Sequence, residues 1–125
     1  MTQMTLLPEF DDVPEQTGIV YLMTDGLMLK FGYVSRAARL GQRKGELRAQ
    51  IIGFKAGSHA DEARYLDSVK RWAIPGTEWF RVPDEPGDLY WLWLVAKDFG
   101  GWKGCPAAEM LLRVVAANLR QRRAA

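Results

Sequence analysis

Residues 18–33 read GIVYLMTDGLMLKFGY, two apolar runs on either side of Asp25-Gly26. Asp-Gly between two such runs is among the strongest short-range hairpin signals. A hairpin placed this early constrains the whole chain, because the faces of two paired strands must be covered by whatever follows. With Asp25 and Gly26 as the two loop residues, Thr24 pairs with Leu27 and Tyr21 pairs with Lys30. Alternation then sorts the side chains. Val20, Leu22, Leu27, Leu29 and Phe31 form an aliphatic core face. Ile19, Tyr21, Met23, Met28, Lys30 and Gly32 form the other, with Tyr21 and Lys30 as direct cross-strand neighbours.

The rest of the chain alternates helical and extended patterns. Ser35 is placed as an N-cap for a helix over about 36–48, whose Arg36, Arg39 and Arg43 recur at helical spacing beside Lys44 and Arg48. QIIGFKA (50–56) reads as a third strand. Ser58-x-x-Asp61 resembles a capping box that opens a second helix running to about Trp72. TEWFRV (77–82) is a short extended segment, and Pro83 to Gly87 is a break. DLYWLWLVAKDF (88–99) and a last helix from Pro106 to about Arg123 are the helical third of the chain. In that last helix Met110, Leu111, Val114, Val115 and Leu119 make the apolar stripe. The expected architecture is α/β: a small, mainly antiparallel sheet of three strands flanked by helices. It divides into an irregular acidic segment 1–16, a core 17–82 and a helical C-terminal extension 83–125.

Composition narrows the class further. A chain of 125 residues that is 48% hydrophobic supports a core of its own. One cysteine, Cys105, excludes an internal disulfide and makes a reducing cytoplasm the default. The longest apolar run, LYWLWLVA at 89–96, is too short to span a bilayer, and the N-terminus lacks a signal-peptide pattern, so no membrane is expected. The net charge of +2 hides an asymmetry. Glu9, Asp11, Asp12 and Glu15 make residues 1–16 −4 with no Lys or Arg, which leaves +6 on the remainder. A basic body suits a polyanion. Arg120, Arg122 and Arg123 at the C-terminus read either as a nucleic-acid contact or as a solvated helix end.

At Gly18-Ile19-Val20-Tyr21, Lys30-Phe31-Gly32, Arg39-Leu40, Glu62 and Glu78-Trp79-Phe80 the chain resembles the GIY-YIG nuclease domain, in its compact phage-associated branch. The resemblance covers residues 17–82 and rests on five motifs in order. It implies hydrolysis of a DNA phosphodiester with one divalent ion, Mg²⁺ or Mn²⁺, in the cytoplasm of a bacterial host if the chain is phage-encoded. Tyr21 would help deprotonate or orient the attacking water, Arg39 would stabilise charge on the phosphoryl oxygens, and Glu62 would hold the metal. An always-charged fork matches phosphate bidentately, and a hard cation takes a carboxylate and waters. A free phenol is a poor base at neutral pH, and an ammonium beside it favours the phenolate, which is the use that the register gives Lys30. Arg36, Arg43, Lys44, Arg48 and the C-terminal arginines are the expected nucleic-acid contacts. The second tyrosine of many family members is Lys30 here, which leaves that tyrosine's role unfilled. His59, the only histidine, reads as a loop or cap residue.

Two other readings fit the same residues. One is a binding protein that keeps the nuclease shape without turnover and occupies nucleic acid or a host factor. The other is an assembly protein that self-associates or meets a partner through the aromatic C-terminal third, around Leu89, Trp91 and Trp93.

Overall fold

The computed structural model describes residues 18–47, 49–100 and 107–124. The acidic segment 1–16, Arg48, Cys105 and Pro106 lie outside the described residues, as does the side chain of Lys44. The hairpin is present as β1 (Ile19–Thr24) and β2 (Met28–Val34). It is followed by α1 (Ala37–Leu47), β3 (Gln50–Ala56) and α2 (His59–Val69), which runs into a 3-10 turn at Lys70–Trp72. Then come β4 (Trp79–Arg81), α3 (Pro86–Phe99) and α4 (Ala107–Ala124). The fold is α/β with an antiparallel sheet, as the sequence pattern indicates.

The sheet has four strands, not three, in the order β3-β1-β2-β4. The extra strand comes from the extended TEWFRV segment, where Trp79, Phe80 and Arg81 pair with Lys30, Leu29 and Met28 of β2. A backbone bond from Ile74 N–H to the Trp79 carbonyl (2.8 Å) holds that segment against the preceding turn.

The hairpin register also differs from the two-residue-loop expectation. Thr24 pairs with Leu29, Met23 with Lys30, Leu22 with Phe31 and Tyr21 with Gly32. The turn chemistry explains the slip. The Asp25 carboxylate accepts from the N–H groups of both Leu27 (2.9 Å) and Met28 (2.8 Å), and the Thr24 hydroxyl accepts from Gly26 N–H (2.9 Å). These local bonds curl residues 25–28 into a longer loop of the Asx type. The shift is by two, so each side chain keeps its face, but Tyr21 and Lys30 are not cross-strand partners.

Both faces of the sheet are covered. On one, Val20, Leu22, Leu29 and Phe31 meet α2, α3 and α4. Phe31 sits at the centre, with ring centroids 4.9 Å from Tyr65 and 5.6 Å from Phe80 and Phe99. Leu89, Trp91 and Trp93 pack against this cluster from α3, so all three residues offered for an oligomer contact serve to cover the sheet. On the other face Ile19, Tyr21, Met23, Val34 and Phe54 close against Leu40 of α1. Burial of each such side chain stabilises by roughly 1.5–3 kcal/mol. The face that carries Tyr21, the expected catalytic residue, is thus a second core.

α4 docks on the hairpin turn, where the Asn118 amide donates to the Leu27 carbonyl (2.9 Å). Leu119, expected on the buried stripe, is 44% exposed. No helix among the described residues is long and apolar enough to cross a membrane.

Candidate functional site

β2 ends and α1 begins at the same end of the sheet where β1 starts and β3 passes into α2. A backbone bond from Gly57 N–H to the Gly18 carbonyl (3.2 Å) ties the last two together. Around this end lies a cavity of about 510 Å³ lined by Tyr33, Val34, Ser35, Arg36, Arg39, Arg43 and His59. Arg39 and Arg43, four residues apart, return to one side of α1, and Arg36 stands immediately before its first residue. α1 has no acidic residue in its first turn, so its positive N-terminal end is left uncompensated beside the arginines. Among the described residues neither Arg36 nor Arg39 has a carboxylate partner. Among the described residues the wall therefore offers the Arg36 and Arg39 guanidinium groups to an anion.

The other wall is aromatic. Tyr33 at the end of β2 stacks obliquely on His59, the first residue of α2, with centroids 4.0 Å apart and planes at 40°. The Tyr33 ring is pinned over Gly18, where a β-carbon would come within 2.4 Å of Tyr33 Oη. Gly18 has φ +73°, a conformation that also favours glycine. His59 Nδ1 lies 3.5 Å from Glu62 Oε1, one turn along α2. The His59 side chain is 80% exposed and that of Glu62 only 16%.

α2 is fixed at this end by a complete capping box. The Asp61 carboxylate accepts from Ser58 N–H (2.8 Å), and Ser58 Oγ accepts from Asp61 N–H (3.3 Å). The Ser58 N–H holds the Asp61 carboxyl below its ordinary range. Partial desolvation opposes this, and the Ser58 hydroxyl and the Arg64 guanidinium add to it.

The residues expected at the site are therefore only partly brought together. Arg36, Arg39 and Arg43 share the cavity wall, and Glu62 reaches it through His59. Tyr21 is fully buried beneath the sheet, opposite Gly32, and its hydroxyl has no hydrogen-bond partner among the described residues. Lys30 is also buried, and its ammonium donates to Glu78 Oε1 at 2.7 Å. Glu78, not Tyr21, is the group that Lys30 serves. Arg120, Arg122 and Arg123 lie on the last turns of α4, beyond the Asn118 contact with the hairpin turn and so at the far end of the strands from the cavity. Arg122 pairs there with Asp84 (2.7 Å).

Tyr33 and His59 are the residues that sequence reasoning passed over. Tyr33 faces away from Tyr21, and His59 lies 26 positions further on; only the folded sheet end puts them in contact.

Glu62 supplies one carboxylate, and no group of three His, Cys, Asp or Glu side chains able to hold a metal occurs among the described residues. That donor set fits Mg²⁺ or Mn²⁺ held by one carboxylate together with waters and substrate phosphate. A second cavity, about 380 Å³, is lined by Asp67, Ser68, Lys70, Arg71 and Trp91. Its cations are already answered, Lys70 by Asp67 and Arg71 by Asp88, so it exerts little pull on an anion.

No family model, curated protein or solved structure matches this chain.

Proposed function

We propose that the chain binds a DNA phosphodiester in the arginine-lined cavity and hydrolyses it with Mg²⁺ or Mn²⁺, in the manner of the GIY-YIG domain that its motifs resemble. The observation that carries this reading is the convergence of Arg36, Arg39 and Arg43 on one concave surface, with Glu62 held close by through His59. Arg36 and Arg39 grip the non-bridging phosphate oxygens and neutralise the charge that builds on them during in-line attack. The N-terminal end of α1 adds to that field. Glu62 is the residue that would hold the metal, which supplies Lewis-acid stabilisation of the phosphoryl oxygens. Ser35 and the α1 backbone orient the strand.

A direct test is cleavage of plasmid and single-stranded phage DNA by the purified protein with Mg²⁺ or Mn²⁺, beside Glu62→Ala and Arg39→Ala. Metal-dependent cutting that both variants lose by about 100-fold or more supports the reading. Equal behaviour of wild type and Glu62→Ala refutes it.

The burial of Tyr21 favours a second reading, in which the same cavity binds nucleic acid without turnover. The phenol expected to handle the attacking water is sealed under Gly32, and Lys30 is occupied by Glu78. Binding in EDTA that survives Glu62→Ala, with no cleavage in any metal, selects this reading.

A further inference from the structure

We infer that the cavity selects an unpaired nucleotide, its phosphate on Arg36 and Arg39 and its base stacked on the imidazole of His59. This rests on the phosphodiester reading above and adds the strandedness of the substrate.

Three features carry it. First, Tyr33 and His59 form a two-ring stack with centroids 4.0 Å apart in the lining of the cavity that also holds the arginines. Second, the stack is built on a fixed base. The Tyr33 ring is wedged over Gly18, and the capping box and Glu62 position His59 at the head of α2. Third, the outer ring is open, since the His59 side chain is 80% exposed. An aromatic face in water beside the Arg36 and Arg39 guanidinium groups is the arrangement that single-strand binders use: cations track the backbone while bases stack on rings. A duplex offers the cavity its phosphates but no free base face, because its bases are already stacked and paired. Arg36 stands immediately before α1 and Arg39 in its first turn, so they bracket the phosphate adjoining the stacked base.

The test is binding in EDTA, which prevents cleavage, of a labelled deoxyadenosine oligonucleotide and of the duplex of the same length. The probes are wild type, His59→Ala, His59→Phe and an Arg36→Ala/Arg39→Ala double variant. His59 is exposed, so neither substitution should disturb the fold, and circular dichroism checks this. The expected result is a single strand bound about 10-fold or more tightly than duplex. His59→Ala should weaken single-strand binding more than duplex binding and so remove most of that preference, and His59→Phe should restore it. As the only histidine, His59 also gives one assignable set of ring signals, expected to move upfield on addition of a deoxyadenosine dinucleotide.

Equal binding of both forms, insensitive to His59→Ala, overturns the inference and leaves the phosphodiester reading standing if the double arginine variant still loses affinity. No binding of either form, with the His59 signals unmoved, overturns both.

Discussion

The phenol ring of Tyr21 lies over Gly32, its partner across β1 and β2, so closely that a β-carbon at position 32 would stand 2.3 Å from Tyr21 Oη. The ring is fully buried, with Leu40 and Phe54 in the same cluster. Gly32→Ala is expected to destabilise the chain by about 2–3 kcal/mol through overpacking. Urea unfolding measures it, and a loss below about 0.5 kcal/mol, the ordinary surface range, would show that the ring is free to move.

Tyr21→Phe should act in the opposite direction. The Tyr21 hydroxyl is buried without a partner among the described residues, and such a group costs about 1–3 kcal/mol. Removing it is expected to stabilise by about 1 kcal/mol, a rise in Tm of roughly 4 °C. A fall in Tm would mean that the hydroxyl is bonded. The same variant in the cleavage assay separates the two functional readings, because a catalytic phenol would be missed there whatever its effect on stability.

Lys30 and Glu78 make an asymmetric pair, with side chains 6% and 55% exposed. Glu78→Ala strands a buried ammonium and is expected to cost about 2 kcal/mol, less than the ~3–5 kcal/mol of a fully buried pair because Glu78 reaches water. Lys30→Met keeps the volume without the charge and should cost under about 1 kcal/mol. Equal losses in thermal unfolding would show that charge compensation is not what Glu78 supplies.

Acid should open the head of α2 before the rest of the fold. The Asp61 carboxyl is depressed chiefly by the bond from Ser58 N–H, so it gives up its proton more readily folded than unfolded. Its contribution is present above the ordinary aspartate pKa of about 3.9 and is lost as pH falls through the lower folded value. Amide protection at Asp61 and Glu62 should therefore drop in that acid window while protection in β1 persists. In Asp61→Ala it should already be low at neutral pH; protection independent of pH in wild type would contradict this.

Much of the fold is legible in the sequence because local chemistry decides it. The apolar alternation places the hairpin faces, QIIGFKA gives β3, and Ser58-x-x-Asp61 marks the start of α2 in the structure. What escapes is decided by contacts across the chain. The register hangs on whether the Asp25 carboxylate bonds to the two N–H groups after Gly26, which the Asp-Gly pair alone does not reveal. β4 is three residues long, too short for a periodicity, and exists because β2 offers Trp79–Arg81 an edge. At the candidate site the arginine spacing on α1 is readable from the chain, whereas the Tyr33–His59 stack depends on the meeting of two element ends. The tyrosine motif is readable too, but its burial follows from α1 closing over that face through Leu40.

The central claim is that the arginine cavity takes a phosphodiester backbone. Its most direct test is the salt dependence of DNA binding in EDTA by wild type and by Arg36→Ala/Arg39→Ala. Loss of two phosphate contacts should weaken binding at every salt concentration and reduce the magnitude of the slope of log K against log [salt] by about 1.4–1.8, at about 0.7–0.9 per contact. An unchanged affinity and slope in the double variant would contradict the account.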